Sequence, residues 1–212
     1  MPVFDPAALT HIDRYRLSIG TVVPRPIAWI TTCEADGQVN LAPFSFFTGV
    51  CASPMTIVVS IAERDPIKDT LRNLQRSGEA VVHLVPPGAL AAMSASSAEF
   101  SPGLSEITEL GLDVVPSLAV RPPRLALADI ALECQLASST AVGEAGRGTT
   151  LVLLTVVRVH VADSVADADG FPDPHRLRTV ARLGGSSYLD ATQWDVVDVP
   201  RAKPPVGKGV RG

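Results

Sequence analysis

The sequence predicts a mainly β, barrel-type fold with a few short helical excursions, and three observations carry that prediction. Apolar runs recur at close spacing, over 27–32, 55–62, 79–85, 126–139 and 149–163, separated by turn-forming Gly, Pro, Asp and Asn. Helical periodicity between them is sparse, so the strand–helix alternation that builds a doubly wound sheet is missing. Composition agrees: 46% of residues are hydrophobic and 19% charged, the profile of a well-buried chain. An excess of Ala and Val over Lys and Glu also fits an apolar surface hidden by oligomerisation.

At 212 residues the chain is long enough to bury one core without staples. Residues 1–199 are read as a single domain and 200–212, basic and rich in Pro and Gly, as a mobile or partner-wrapping tail. Residues 1–20 form a lead-in or short helix. A strand at 27–32 follows, entered through Pro24 and Pro26. Asp36-Gly37 supplies turn chemistry, and 40–50 returns as the partner strand. Pro43 within that strand requires an edge, a bulge or an unpaired N–H. The return strand also carries Asn40, Ser45 and Thr48 among Phe44, Phe46 and Phe47, polar groups that a purely structural hairpin would not need.

After a third strand at 55–62, Asp65 reads as a helix N-cap with Pro66 at the first helical position. Ile67, Leu71 and Leu74 share one helical face, and Gly78 is placed to end the helix. A strand at 79–85 follows, then an Ala-rich helical segment to 98, a short helix at 105–110 and a proline-spaced connection at 116–123. Two long strands, 126–139 and 149–163, flank the Gly-rich loop 143–148, and 166–174 is loop. No internal repeat is present.

Several function classes are excluded. The net charge is −4 and no Lys/Arg stripe exists, so nucleic acid is not an expected partner. Cys33, Cys51 and Cys134 have neither disulfide-framework nor metal-ligand spacing. The N-terminal residues lack a basic-then-apolar leader, and Thr155, Arg158 and His160 interrupt the longest apolar stretch. A soluble, cytoplasmic protein without a membrane span is expected. Walker A, H-E-x-x-H and G-x-S-x-G motifs are absent. The G-x-G-x-x-G at 207–212 has no strand before it and no helix after it, so it is a chance match.

The remaining candidates cluster. A helix start near 65–70 offers unpaired N–H groups and partial positive charge, to which Arg64, Lys68 and Thr70 add two cations and a hydroxyl suited to a phosphate. On residue chemistry alone, a well-capped surface helix with Asp65 and Asp69 consuming those donors is the plainer reading. Thr31, Thr32 and Ser45 offer hydroxyls, though threonine is an ordinary strand residue. Trp29 and His160 read as structural. Cys51 is a redox candidate only if exposed beside a cation. Arg182 precedes two glycines that permit close approach of a ligand or neighbouring chain.

Together the runs PRPIAWITT, NLAPFSFFTGV, IVVSI and KDTLRNLQRSGE, with PPR, LECQL, VRVHV and RLGGSSY downstream, resemble the flavin reductase-like family with an FMN-binding split β-barrel. The likeness extends from about residue 14 to 190. It implies a split, Greek-key-like barrel, a homodimer and FMN at or near the subunit interface. Carried over residue by residue, it implies a flavin pocket of Arg25, Thr31, Thr32, Ala42, Pro43, Phe44, Ser45, Lys68, Asp69, Thr70 and Arg182. Arg64 joins them as a charge-balancing candidate. No side chain is expected to be a catalytic nucleophile: hydride passes from NADH or NADPH to the flavin, and electrons go on to a monooxygenase or another acceptor. An FMN-binding electron carrier and a non-enzymatic ligand-binding barrel are the alternatives. The segment 98–103 lacks the family's usual aspartate, which bears on the acceptor more than on the flavin.

Overall fold

The computed structural model describes residues 1–100, 104–189, 192 and 195–199. The predicted tail at 200–212, and with it the G-x-G-x-x-G match, lies outside the described residues. Among the described residues there are twelve strands: β1 (Arg25–Pro26), β2 (Ala28–Cys33), β3 (Val39–Phe44), β4 (Phe47–Ala52), β5 (Met55–Ala62), β6 (Glu79–Leu84), β7 (Val114–Val115), β8 (Arg124–Leu125), β9 (Ile130–Val142), β10 (Thr149–Val161), β11 (Ala181–Arg182) and β12 (Tyr188–Leu189). The α-helices are α1 (His11–Thr21), α2 (Asp69–Ser77), α3 (Leu90–Ala95) and α4 (Glu106–Glu109). None of the described helices is long and apolar enough to cross a membrane.

Seven strands make one antiparallel sheet in the order β3-β2-β6-β9-β10-β5-β4. Its two edge strands, β3 and β4, are joined by Ser45 and Phe46 alone. Three Cα–Cα steps reach about 11 Å, whereas six inter-strand spacings in a flat sheet span about 29 Å. The sheet must therefore curl until its edges approach, which makes a barrel that the chain closes covalently. The Ser60 N–H, on β5, donates to the Phe46 carbonyl at 2.9 Å, extending the β4–β5 ladder into that connection.

Period-2 alternation sets the layers. Ala28 and Ile30 on β2, with Ala80 and Val82 on β6, face a barrel interior shared with Val59, Ile61, Leu132, Val152 and Leu154. Trp29 and Leu41 point the other way, into a second cluster with Met93, Ile107 and Leu125 beneath α3 and α4. Both faces of β2 are covered, which is why it reads as an unbroken apolar run rather than an alternating one.

Two elements differ from expectation. The return strand predicted at 40–50 is two strands on opposite edges of the sheet. Phe44 and Phe47 both pack against the barrel core, and residues three apart in one straight strand face opposite sides. Both can reach the interior only because the chain bends between them. Pro43 accordingly lies on an edge strand, where its missing N–H interrupts no ladder.

The predicted helix also starts three residues late. Lys68 is still extended, at φ −60° and ψ 135°, and α2 begins at Asp69. Asp65, which precedes a proline and is biased away from helix, lies in a turn whose Asp65–Pro66 peptide is cis. Packing on β2 and β3 then selects Thr70, Leu71, Asn73 and Leu74 as the buried face, and Ile67 stays exposed. Gly78 ends the helix as expected, at φ +70°, with its N–H donating to the Leu74 carbonyl.

Candidate functional site

The segment between β5 and α2, the β2–β3 hairpin and the residues after α3 enclose a groove of about 740 Å³. Its floor is formed by β3 residues, including Asn40, Ala42 and Phe44. One wall carries Arg64, Lys68, Asp69 and Thr70, and the facing wall carries Ser96–Phe100, Leu104 and Glu106.

A buried polar network supports the floor. Asn40 Nδ2 donates to Thr32 Oγ1 at 3.1 Å and to Thr70 Oγ1 at 3.0 Å, so both its amide hydrogens are used. Asn73 Nδ2 donates to Thr32 Oγ1 at 3.1 Å and Glu34 Oε1 at 3.0 Å. The hairpin and the first turn of α2 are thereby locked together, fixing where the helix start faces the groove. On the other side the α4 start covers the free edge of β3. Ser105 Oγ donates to the Val39 carbonyl at 2.6 Å, and the Leu41 N–H donates to Glu106 Oε2 at 3.0 Å. Burial, with Asp69 and Glu34 nearby, raises the Glu106 carboxyl above its usual range despite that backbone bond.

Charge in the groove is unevenly paired. Arg72 bridges Glu34 and Asp69, and Arg64 Nη1 lies 2.6 Å from Glu99 Oε1. Lys68 has no ion-pair partner among the described residues. Its burial, and then Arg64 beside it, hold its ammonium below the usual lysine range. Lys68 sits at the N-cap position of a nine-residue helix, where first-turn N–H groups lack intrahelical acceptors and the dipole adds positive charge. This end of the groove is chemically an anion site: two adjacent cations, a hydroxyl and free N–H groups.

The expected pocket residues divide into two sets. Ala42, Phe44, Arg64, Lys68, Asp69 and Thr70 line the groove. Thr31 and Thr32 are buried beneath it, with Thr31 Oγ1 donating to the Pro123 carbonyl at 2.7 Å and Thr32 held by the two asparagines. Pro43 and Ser45 are half-buried on or beside β3 and do not line it. Arg25 and Arg182 lie elsewhere, opposite each other in the β1–β11 ladder. Arg25 is buried, donates to the carbonyls of Ile19, Val22 and Leu183, and lies 5.5 Å from the Phe46 ring centre. Arg182 bonds Tyr188 Oη and the Gly185 carbonyl. Trp29 Nε1 donates to Ser96 Oγ at 2.9 Å, and His160 meets Glu133 at 2.6 Å, both structural contacts as read. Cys51 is exposed on β4, with its thiol bonded to the Pro54 carbonyl.

Sequence reasoning missed Glu34, Arg72, Glu99 and Glu106 as groove residues. Only chain folding brings them there, and no local pattern marks them. Asn40 did have a signal, as a polar residue among aromatics in a strand. Among the described residues no group of three His, Cys, Asp or Glu side chains could hold a metal ion.

With this geometry in place, relatives are informative. A Halalkalibacterium halodurans protein is 40% identical over 188 residues, covering 87% of this chain and 90% of its own length. The crystal structure of nitrilotriacetate monooxygenase component B from Bacillus cereus superposes with a TM-score of 0.86 at 32% identity, covering 93% of this chain and 98% of that one. A Shewanella frigidimarina protein with a split barrel domain matches in fold at a TM-score of 0.81 and 22% identity, over 95% of this chain and 100% of its own. The flavin reductase like domain matches residues 19–177. The chain is a split β-barrel and belongs to the flavin reductase-like family.

Proposed function

We propose that this protein binds FMN in the groove and acts as a flavin oxidoreductase of the reductase type, taking hydride from NADH or NADPH. The observation that carries the reading is Lys68: a half-buried cation, without an internal carboxylate partner among the described residues, at a helix start beside a second cation. A terminal phosphate dianion fits that donor set, because burying it requires opposite charge and hydrogen-bond donors. Lys68 and Arg64 would hold the phosphate, with Thr70 and the first N–H groups of α2. Ala42, Phe44 and the neighbouring apolar wall would exclude water along the groove. Bound flavin would supply the hydride and electron-transfer chemistry, which agrees with a site that needs no side-chain nucleophile.

Family membership supports a homodimer with the flavin near the subunit interface. The Bacillus cereus relative, a monooxygenase component B, supports an oxygenase as the electron acceptor. Three free cysteines fit a reducing, cytoplasmic compartment.

Two measurements test the reading. Anaerobic mixing of the yellow, FMN-loaded protein with NADH or NADPH should bleach the flavin. Persistent colour would leave an electron carrier, and a colourless protein that takes up no FMN would leave a non-enzymatic barrel. Lys68→Ala should weaken FMN binding about tenfold or more, the scale of one charge-assisted hydrogen bond, and leave riboflavin binding nearly unchanged. Equal loss for both ligands would remove the phosphate from Lys68.

A further inference from the structure

The groove's cation pair already has an anion of its own. Glu99 follows α3, is four-fifths exposed, and places Oε1 2.6 Å from Arg64 Nη1. It also acts on Lys68, whose surroundings include Arg64 as a repelling charge and Glu99 as an attracting one. All three side chains line the same groove. Arg64 and Lys68 repel each other across this short gap, and the Glu99 carboxylate relieves that repulsion. Asp65, Asp69 and Glu106 also line this part of the groove. Asp69 is engaged by Arg72 and Glu106 by the Leu41 N–H. Glu99 is the carboxylate paired directly with Arg64.

We infer that Glu99 is an intramolecular counter-anion that competes with the ligand's phosphate for Arg64 and so keeps the flavin exchangeable. This rests on the phosphate reading above and goes beyond it. An arriving dianion must take Arg64 from Glu99, and a departing one is replaced by Glu99, so Arg64 is never left bare. Because Glu99 is exposed, its pairing is weak and easily exchanged. Tight retention would instead call for an unpartnered arginine waiting for the phosphate. Binding is therefore weaker, and release faster, than the two cations alone would give.

The test is Glu99→Gln, which keeps the shape and removes the charge at an exposed position where folding is not at stake. FMN affinity should rise about three- to fivefold at low salt, the range set by an exposed ion pair. The gain should appear mainly as slower FMN release in stopped-flow displacement, since related complexes differ chiefly in dissociation rate. It should fall below about twofold in 0.5 M salt, where such charges are screened. Riboflavin affinity should not change. In an Arg64→Ala background the same substitution should give less than about a twofold gain.

Unchanged or weaker FMN binding in Glu99→Gln would overturn the inference, as would an equal gain for riboflavin or an undiminished gain without Arg64. The phosphate reading fails separately, by Lys68→Ala weakening both ligands alike. A selective Lys68 effect with no Glu99→Gln gain sinks the counter-anion role alone.

Discussion

His83 shows how one buried side chain ties the outer layer to the barrel. Its Nδ1–H donates to the Trp29 carbonyl at 2.8 Å, and the Leu125 N–H donates to its Nε2 at 3.0 Å. The second bond fixes the neutral tautomer, because a protonated ring would set N–H against N–H. Burial, with Arg124 and His160 adding to it, lowers its pKa from 6.5 to about 4. The unfolded chain therefore binds more protons than the folded one between those values, so stability falls as pH falls through that window. From pH 7 to pH 5 the loss from this group should be about 2 kcal/mol, at roughly 1.4 kcal/mol per unit once below pH 6.5. Urea denaturation at the two pH values measures it. His83→Leu should be less stable at pH 7, because it leaves a buried carbonyl and N–H unpaired, and should lose most of this slope. Glu133 contributes lower down. Burial opposes its charge, but the Leu118 N–H, His160 and the Ala119 N–H outweigh burial and hold the carboxyl below its usual range. Its stabilisation is present above about pH 4.5, the ordinary value, and is lost as pH falls below it. A slope between pH 7 and 5 that survives in His83→Leu would refute the assignment to His83.

At the scale of elements, what was legible depended on whether the cause was local. The strand at 55–62 matches β5, and 79–85 matches β6 to one residue, because apolar runs between turn residues carry their own boundaries. The strand break at Ser45-Phe46 was not legible. It follows from barrel closure, a property of seven strands and of no single one. The helix start was misplaced for a related reason: Asp65-Pro66 is a good local start signal, but packing of Thr70 and Asn73 onto the hairpin decides where α2 begins. The groove divides the same way. Lys68, Asp69 and Thr70 are neighbours in sequence and could be read together as a helix-start anion site. Glu99 reaches Arg64 across 35 positions and Glu106 reaches Leu41 across 65, so composition and periodicity carry no trace of them. Arg25 has the opposite history. Its flanking prolines made it conspicuous, and its hydrogen bonds go to three backbone carbonyls that hold the α1 end to the β11 region.

At the scale of the whole molecule, the two edges of the sheet are treated differently. The β3 edge is covered by Ser105 and Glu106, whose side chains bond the outward Val39 carbonyl and Leu41 N–H. The β4 edge has a ladder only to β5, is interrupted by a bulge between Gly49 and Cys51, and exposes Thr48 to Ala52. Val50 there is 54% exposed, with Met55 at 43% and Phe46 at 38% nearby. An edge strand with apolar side chains and no covering charge is an aggregation hazard unless another chain covers it. The proposed homodimer would provide that cover. Arg25 lies over Phe46, so the same surface adjoins the arginine clamp that the family likeness links to the flavin pocket. Sedimentation equilibrium should give a dimer for the wild-type chain. Val50→Asp combined with Met55→Asp should shift it to monomer, because a buried unpaired carboxylate is costly at an interface. If the flavin sits near that interface, the monomer should also bind FMN more weakly, while keeping its far-UV circular dichroism. A monomeric wild type would leave the β4 edge without the proposed cover. A dimer unaffected by both substitutions would move the interface to another face.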